Sequence, residues 1–94
     1  MTGGSGPEHY TVTFAPTAAR ELRKLRADDA VRLRRPVFEL AFNPRLPGAG
    51  AIVGSQYLRI RVGDLRVVYS VDDELREVVV VRVARRAEST YRRL

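Results

Sequence analysis

Cysteine is absent from the 94 residues, and His9 and Lys24 are the only histidine and the only lysine. Without cysteine there is no disulfide framework and no thiolate metal site, so the core must hold without covalent staples. A single histidine, near an N-terminal stretch rich in Gly and Ser, excludes a zinc centre or a histidine-based triad for practical purposes. No run of about 18 apolar residues occurs, so no segment is expected to span a membrane as a helix. The opening "MTGGSGPEHY" has no apolar signal core, which argues against export and for a cytoplasmic protein.

The chain does have 45% hydrophobic residues and a large excess of arginine. The length suits one small domain with a thin stability margin. Residues 1–8 read as a disordered tail and residues 9–94 as the domain. Seventeen Lys and Arg face eleven Asp and Glu, giving a formal net charge of +6. That balance favours a polyanionic partner, either nucleic acid or an acidic protein. Arginine bias also accompanies GC-rich genomes, so the positions of the arginines carry more weight than their number.

Periodicity gives the order of elements. "HYTVTF" (9–14) alternates as a strand, with Tyr10, Val12 and Phe14 on one face. Pro16 suits the first turn of a helix, along which Ala18, Leu22 and Leu25 form an apolar stripe that Ala19 widens. Asp28 or Asp29 is expected to cap a second helix running towards Phe42. Its expected buried side is Val31, Val37, Phe38, Ala41 and Phe42, and Pro36 is expected to kink or split it. "NPRLPGAG" reads as a loop. "VDDELRE" reads as a turn, and "VVVVRVA" (78–84) as a central strand covered on both faces for much of its length. "RRAESTYRRL" reads as a short terminal helix or tail. The fold class is α+β: a strand, a two-helix hairpin, a three-stranded antiparallel meander completing one sheet, and a short C-terminal helix.

The stretch "YLRIRVGDLRVVYS" (57–70) is the most informative. Gly63-Asp64 between two alternating runs signals a two-residue hairpin. In that register Val62 meets Leu65, Arg61 meets Arg66, Ile60 meets Val67, Arg59 meets Val68 and Leu58 meets Tyr69. One side becomes a clean core face, and the other holds Arg59, Arg61 and Arg66. Arginines directly opposite each other repel. Either this is an ordinary solvated face, or an anion completes it, since guanidinium forks match phosphate oxygens and stay charged. Arg82 and Arg86 share parity and extend the basic side if the last strand adds beside residues 65–71. Tyr91 either stacks on a base, donates a proton, or pins the tail to the core.

The R-x-R-x-G-D-x-R-x-x-Y run at 59–69, the acidic turn, the valine strand and R-x(4)-Y together resemble the RelE/ParE toxins of bacterial toxin-antitoxin pairs. The resemblance covers about residues 9–92 and implies that family's fold. It also implies metal-independent, cofactor-free cleavage of messenger RNA in the ribosomal A site, by attack of a ribose 2′-hydroxyl on the neighbouring phosphate. By motif position the catalytic set is Arg59, Arg61, Arg66, Arg86 and Tyr91, with Arg82 and Arg85 as further RNA contacts. Many relatives have histidine where this chain has Arg85, and an aromatic where it has Leu65. The partners implied are an acidic, partly disordered antitoxin, messenger RNA and the ribosome, and operator DNA only through the antitoxin. Two other readings share the positive charge. One is the ParE branch, which poisons DNA gyrase and cuts no RNA; the other is a basic nucleic-acid-binding module without chemistry.

Overall fold

The computed structural model describes residues 9–46 and 48–85. Its elements are β1 (Thr11–Phe14), α1 (Pro16–Arg23), α2 (Ala27–Glu39), β2 (Gly50–Ala51), β3 (Leu58–Val62), β4 (Leu65–Asp72) and β5 (Glu77–Arg85). The strands form one sheet in the order β1-β5-β4-β3-β2. β1 runs parallel to β5, and every other neighbour is antiparallel. The three-strand meander, with the last strand beside residues 65–71, is therefore as the sequence pattern implies. The parallel pairing of β1 and the two-residue β2 are additions to it. The expected C-terminal helix lies outside the described residues. No helix among the described residues is long and apolar enough to cross a membrane.

Each helix start has a local cause. Ala15 is extended, its N–H bonds Val80 O at 2.9 Å, and Pro16 opens α1 where no backbone donor is needed. Arg20 and Arg23 in the last turn of α1 suit the negative end of its dipole. α2 begins after Arg26, and Asp28 and Asp29 occupy its first turn rather than the cap position. There they favour the positive end of the helix dipole without a side-chain cap bond. Pro36 does not split α2, which runs unbroken to Glu39. The proline removes one bond to the carbonyl four residues back, but it stands at the start of the last turn, so only three helical residues follow it. The chain then tightens, with Leu40 N–H bonding Val37 O at 3.1 Å and Ala41 N–H bonding Phe38 O at 3.0 Å.

Both helices cover the sheet face that carries Ile60, Leu65, Val67, Tyr69 and Val80. α1 contributes Ala18, while Leu33 from α2 and Leu40 just past its end complete the buried set. The expected buried side of α2 is thus partly wrong. Val31, Phe38 and Phe42 are 57, 63 and 57% exposed, and Leu33 and Leu40, with Val37 half-buried, face the sheet instead. α2 carries more apolar residues than one stripe requires, so periodicity alone admits two rotations. β5 also departs from expectation. Val78, Val80 and Val83 are buried towards the helices, but the alternate residues are only half-covered.

Two polar staples close the end of the sheet where β4 turns into β5. Tyr69 is fully buried, and its hydroxyl donates to Pro44 O at 2.6 Å. Burial pushes the Tyr69 phenol up. Asp73 accepts from both Arg45 nitrogens at 3.1 Å and from Tyr10 OH at 2.6 Å. The bond from Arg45, then that from Tyr10, hold the Asp73 carboxyl below the usual carboxylate range. The Arg76 guanidinium lies 5.3 Å from the centre of the Tyr10 ring.

Tyr69→Phe keeps the ring but leaves Pro44 O without its donor. The expected loss is about 1–2 kcal/mol, the scale for a buried group left unsatisfied. Urea denaturation measures it, and an unchanged midpoint would show that the bond carries no stability.

Candidate RNA-contact face

The hairpin register decides which arginines meet. Gly63 has φ +62°, and Asp64 is not among the positive-φ residues, as a II′ turn with glycine first requires. A side chain at Gly63 would also meet the Arg32 guanidinium at 2.7 Å. With this turn Arg61 pairs with Arg66, Arg59 with Val68 and Leu58 with Tyr69, in the register that the alternation implies. β5 continues both rows, placing Ala84 beside Arg66 and Arg82 beside Val68.

The face turned away from the helices therefore carries Arg59, Arg61, Arg66 and Arg82 around Val68, which is 1% exposed. Arg61 is exposed and the other three arginines are half-buried. Arg59 is directed sideways over β2. Its NH1 lies 2.9 Å from where a side chain at Gly50 would begin, so the glycine leaves the guanidinium its space. Arg61 and Arg66 sit directly opposite with like charge, an arrangement that an anion between them relieves.

Arg82 and Arg85 are handled differently. Arg82 belongs to the arginine face by register, but its head turns to the edge of the sheet. There Nε and NH2 lie 3.0 and 2.9 Å from Glu21 Oε2. Arg85 pairs with the core residue Leu65 and so points to the helix side. Its NH2 meets Asp29 at 2.5 Å and its NH1 meets Asp64 at 2.7 Å. The bond to Asp29, then that to Asp64, raise the pKa of Arg85 further. The structure thus brings Arg59, Arg61, Arg66 and Arg82 to one face and sets Arg85 on the other. Arg86 and Tyr91 lie outside the described residues.

Sequence reasoning misses Glu21. Its one signal is being the single carboxylate of α1, between Arg20 and Arg23. Also missed is a groove on the helix side of the sheet, about 780 Å³ in volume, between β1, α1 and α2. Val12, Phe14, Leu22, Val31 and Phe38 line it, and Arg34 stands among them. Phe38 packs edge-on against Phe42 at 5.2 Å, which extends the apolar surface along α2.

Comparison with known proteins agrees with this architecture. Residues 12–90 match the family described as the ParE toxin of the type II toxin-antitoxin system parDE. Toxin RelG of Mycobacterium tuberculosis is 38% identical over 91 residues, covering 89% of this chain and 98% of the relative. Among solved structures, the toxin-antitoxin complex RelBE2 of M. tuberculosis is similar at 32% identity. That match has a TM-score of 0.74 and covers 83% of this chain and 99% of the other. The intact E. coli RelBE toxin-antitoxin complex is similar at 28% identity and TM-score 0.74, covering 84% and 98%.

The two kinds of arginine are expected to differ on removal. Arg61→Ala relieves repulsion and should change stability by no more than about 0.5 kcal/mol. Arg85→Ala leaves the buried Asp29, among the described residues, with Arg32 alone at 3.5 Å, and should lower the melting temperature clearly. Thermal melts of the two variants test the contrast, and the reverse order would refute this assignment of roles.

Proposed function

The chain belongs to the RelE/ParE family of toxins of type II toxin-antitoxin systems, and from that premise we propose that it is a ribosome-dependent endoribonuclease cutting messenger RNA in the A site. As a family member it is the toxin of a toxin-antitoxin pair. The observation that carries the finer reading is the gathering of Arg59, Arg61 and Arg66 on the sheet face opposite the core. A ribose 2′-hydroxyl attacks the adjacent phosphorus, the bond to the 5′ oxygen breaks, and a 2′,3′-cyclic phosphate and a 5′-hydroxyl result. Negative charge collects on the phosphate oxygens in the transition state, where preorganised guanidinium groups stabilise it. Arg61 and Arg66 straddle that phosphate, Arg59 contacts the backbone beside it, and Arg82 lies at the margin. Arg86 and Tyr91 complete the set by family motif. Arg85, engaged by two carboxylates, is the weakest candidate contact. No carboxylate pair or histidine stands among the described arginines of this face, so substrate alignment by the ribosome supplies much of the rate.

The match to the ParE family description favours a second reading, in which the same scaffold inhibits DNA gyrase. One experiment separates the two. Purified protein is incubated with programmed ribosomes and with free RNA, and cuts are mapped by primer extension beside a gyrase supercoiling assay. Cleavage on ribosomes, little on free RNA, and a loss of about 10-fold or more in Arg61→Ala are expected. Inhibited supercoiling with intact messenger RNA would replace the ribonuclease reading by the ParE one.

The groove is assigned to the antitoxin. An apolar floor with an arginine among its walls suits an acidic amphipathic segment that orders on binding. The groove and the arginine face lie on opposite sides of the sheet. Co-expression with the neighbouring reading frame tests the assignment. Phe38→Glu, on an exposed side chain, should leave the fold intact and abolish co-purification, whereas undiminished capture would exclude the groove.

A further inference from the structure

We propose that Glu21 is a positioning residue for the arginine face, acting as the edge partner of β5 where β1 ends; its part in catalysis rests on the ribonuclease reading. β1 covers the outer edge of β5 only from Glu77 to Val80, after which the chain leaves into α1. The opposite edge of β5 becomes irregular over the same stretch. Tyr69 pairs with Val80 but Val68 pairs with Arg82, so Val81 is an extra residue. A bulge bends its strand and re-aims the side chains beyond it. The half of β5 after Val80 thus follows a bulge on its β4 side and has no strand on its outer side among the described residues.

One carboxylate occupies that gap. Glu21 Oε1 accepts the Val83 N–H at 2.7 Å, and Oε2 accepts from Arg82 Nε at 3.0 Å and NH2 at 2.9 Å. Three donors on one part-buried carboxylate, two of them charged, make a stronger contact than an ordinary surface ion pair. The anchor fixes both the backbone that carries Arg82 and Ala84 beside Val68 and Arg66, and the place of the Arg82 guanidinium. Phosphoryl chemistry is sensitive to such placement, since about 1 Å of error can cost 10²-fold in rate.

The test uses Glu21→Ala, Glu21→Gln and, as a stability control, Val78→Ala, which truncates a buried residue at the far end of β5. Amide exchange at Val83 and ribosomal cleavage are both measured. Glu21→Ala should accelerate Val83 exchange and lower kcat by about 10-fold or more, with KM changed by less than about twofold. Glu21→Gln keeps an acceptor for the Val83 N–H and should recover much of kcat. Val78→Ala should melt lower and keep kcat. Unchanged kcat in Glu21→Ala, or an equal loss in Val78→Ala, overturns the positioning role. If the wild type does not cut on ribosomes, the ribonuclease reading fails, and the catalytic role of Glu21 with it. Val83 exchange then decides the anchor by itself, and unchanged exchange overturns that too.

Discussion

The pairing of β3 with β4 is the constraint on which the rest depends. A one-residue slip of β3 would turn Ile60 to solvent and drive Arg59 and Arg61 into the core, and a slip of β4 would turn out Leu65 and Val67 and bury Arg66. Guanidinium groups buried there without carboxylate partners would cost far more than the core could offset. The glycine turn and the burial of Tyr69 hold the same register from its two ends. The core and the arginine face are therefore one feature seen from two sides. Selection for either keeps the other in place.

The acidic residues divide the arginines into two populations. Glu21, Asp29, Asp64 and Asp73 each hold an arginine that joins separate elements: α1 to β5, α2 and the hairpin turn to β5, and the loop after α2 to the β4–β5 turn. Each of these cations ties two elements together, and its charge is locally balanced. Arg61, exposed on the opposite face, has no such carboxylate among the described ion pairs. The net charge of +6 is thus not spread evenly over the surface. Its unbalanced part includes the face where a phosphate would have to sit, which favours encounter with a polyanion.

Legibility in the sequence depends on the range of the interaction. The hairpin is readable residue by residue because a period of two and a local turn determine it. The α2 face is misread because Val31, Phe38 and Phe42 fit helical spacing as well as Leu33, Val37 and Leu40 do; only the sheet decides between them. Pro36 looks like a breaker because its position in the last turn is not visible from composition. The parallel β1–β5 pair and the Glu21 contact join residues about sixty positions apart, beyond the reach of any window, and the bulge at Val81 shows only in the pairing of two strands. Parity and motif make Arg82 and Arg85 candidate RNA contacts. Parity cannot show a carboxylate arriving from another element, or a bulge that shifts the side to which later residues point.

The strand order also bears on when the sheet can be finished. The one strand neighbour of β1 is β5, the last described element, so the first strand made waits for the last. Contacts between such distant parts form late, because the intervening chain must be ordered first. During synthesis the meander strands can pair as they emerge, but the β1 edge stays open until residues 77–80 have left the ribosome. The post-bulge half of β5, with its Glu21 contact, is completed at the same late stage. A toxin built in this order keeps its sheet unfinished, and its arginine face without the Val83 anchor, until β5 is in place.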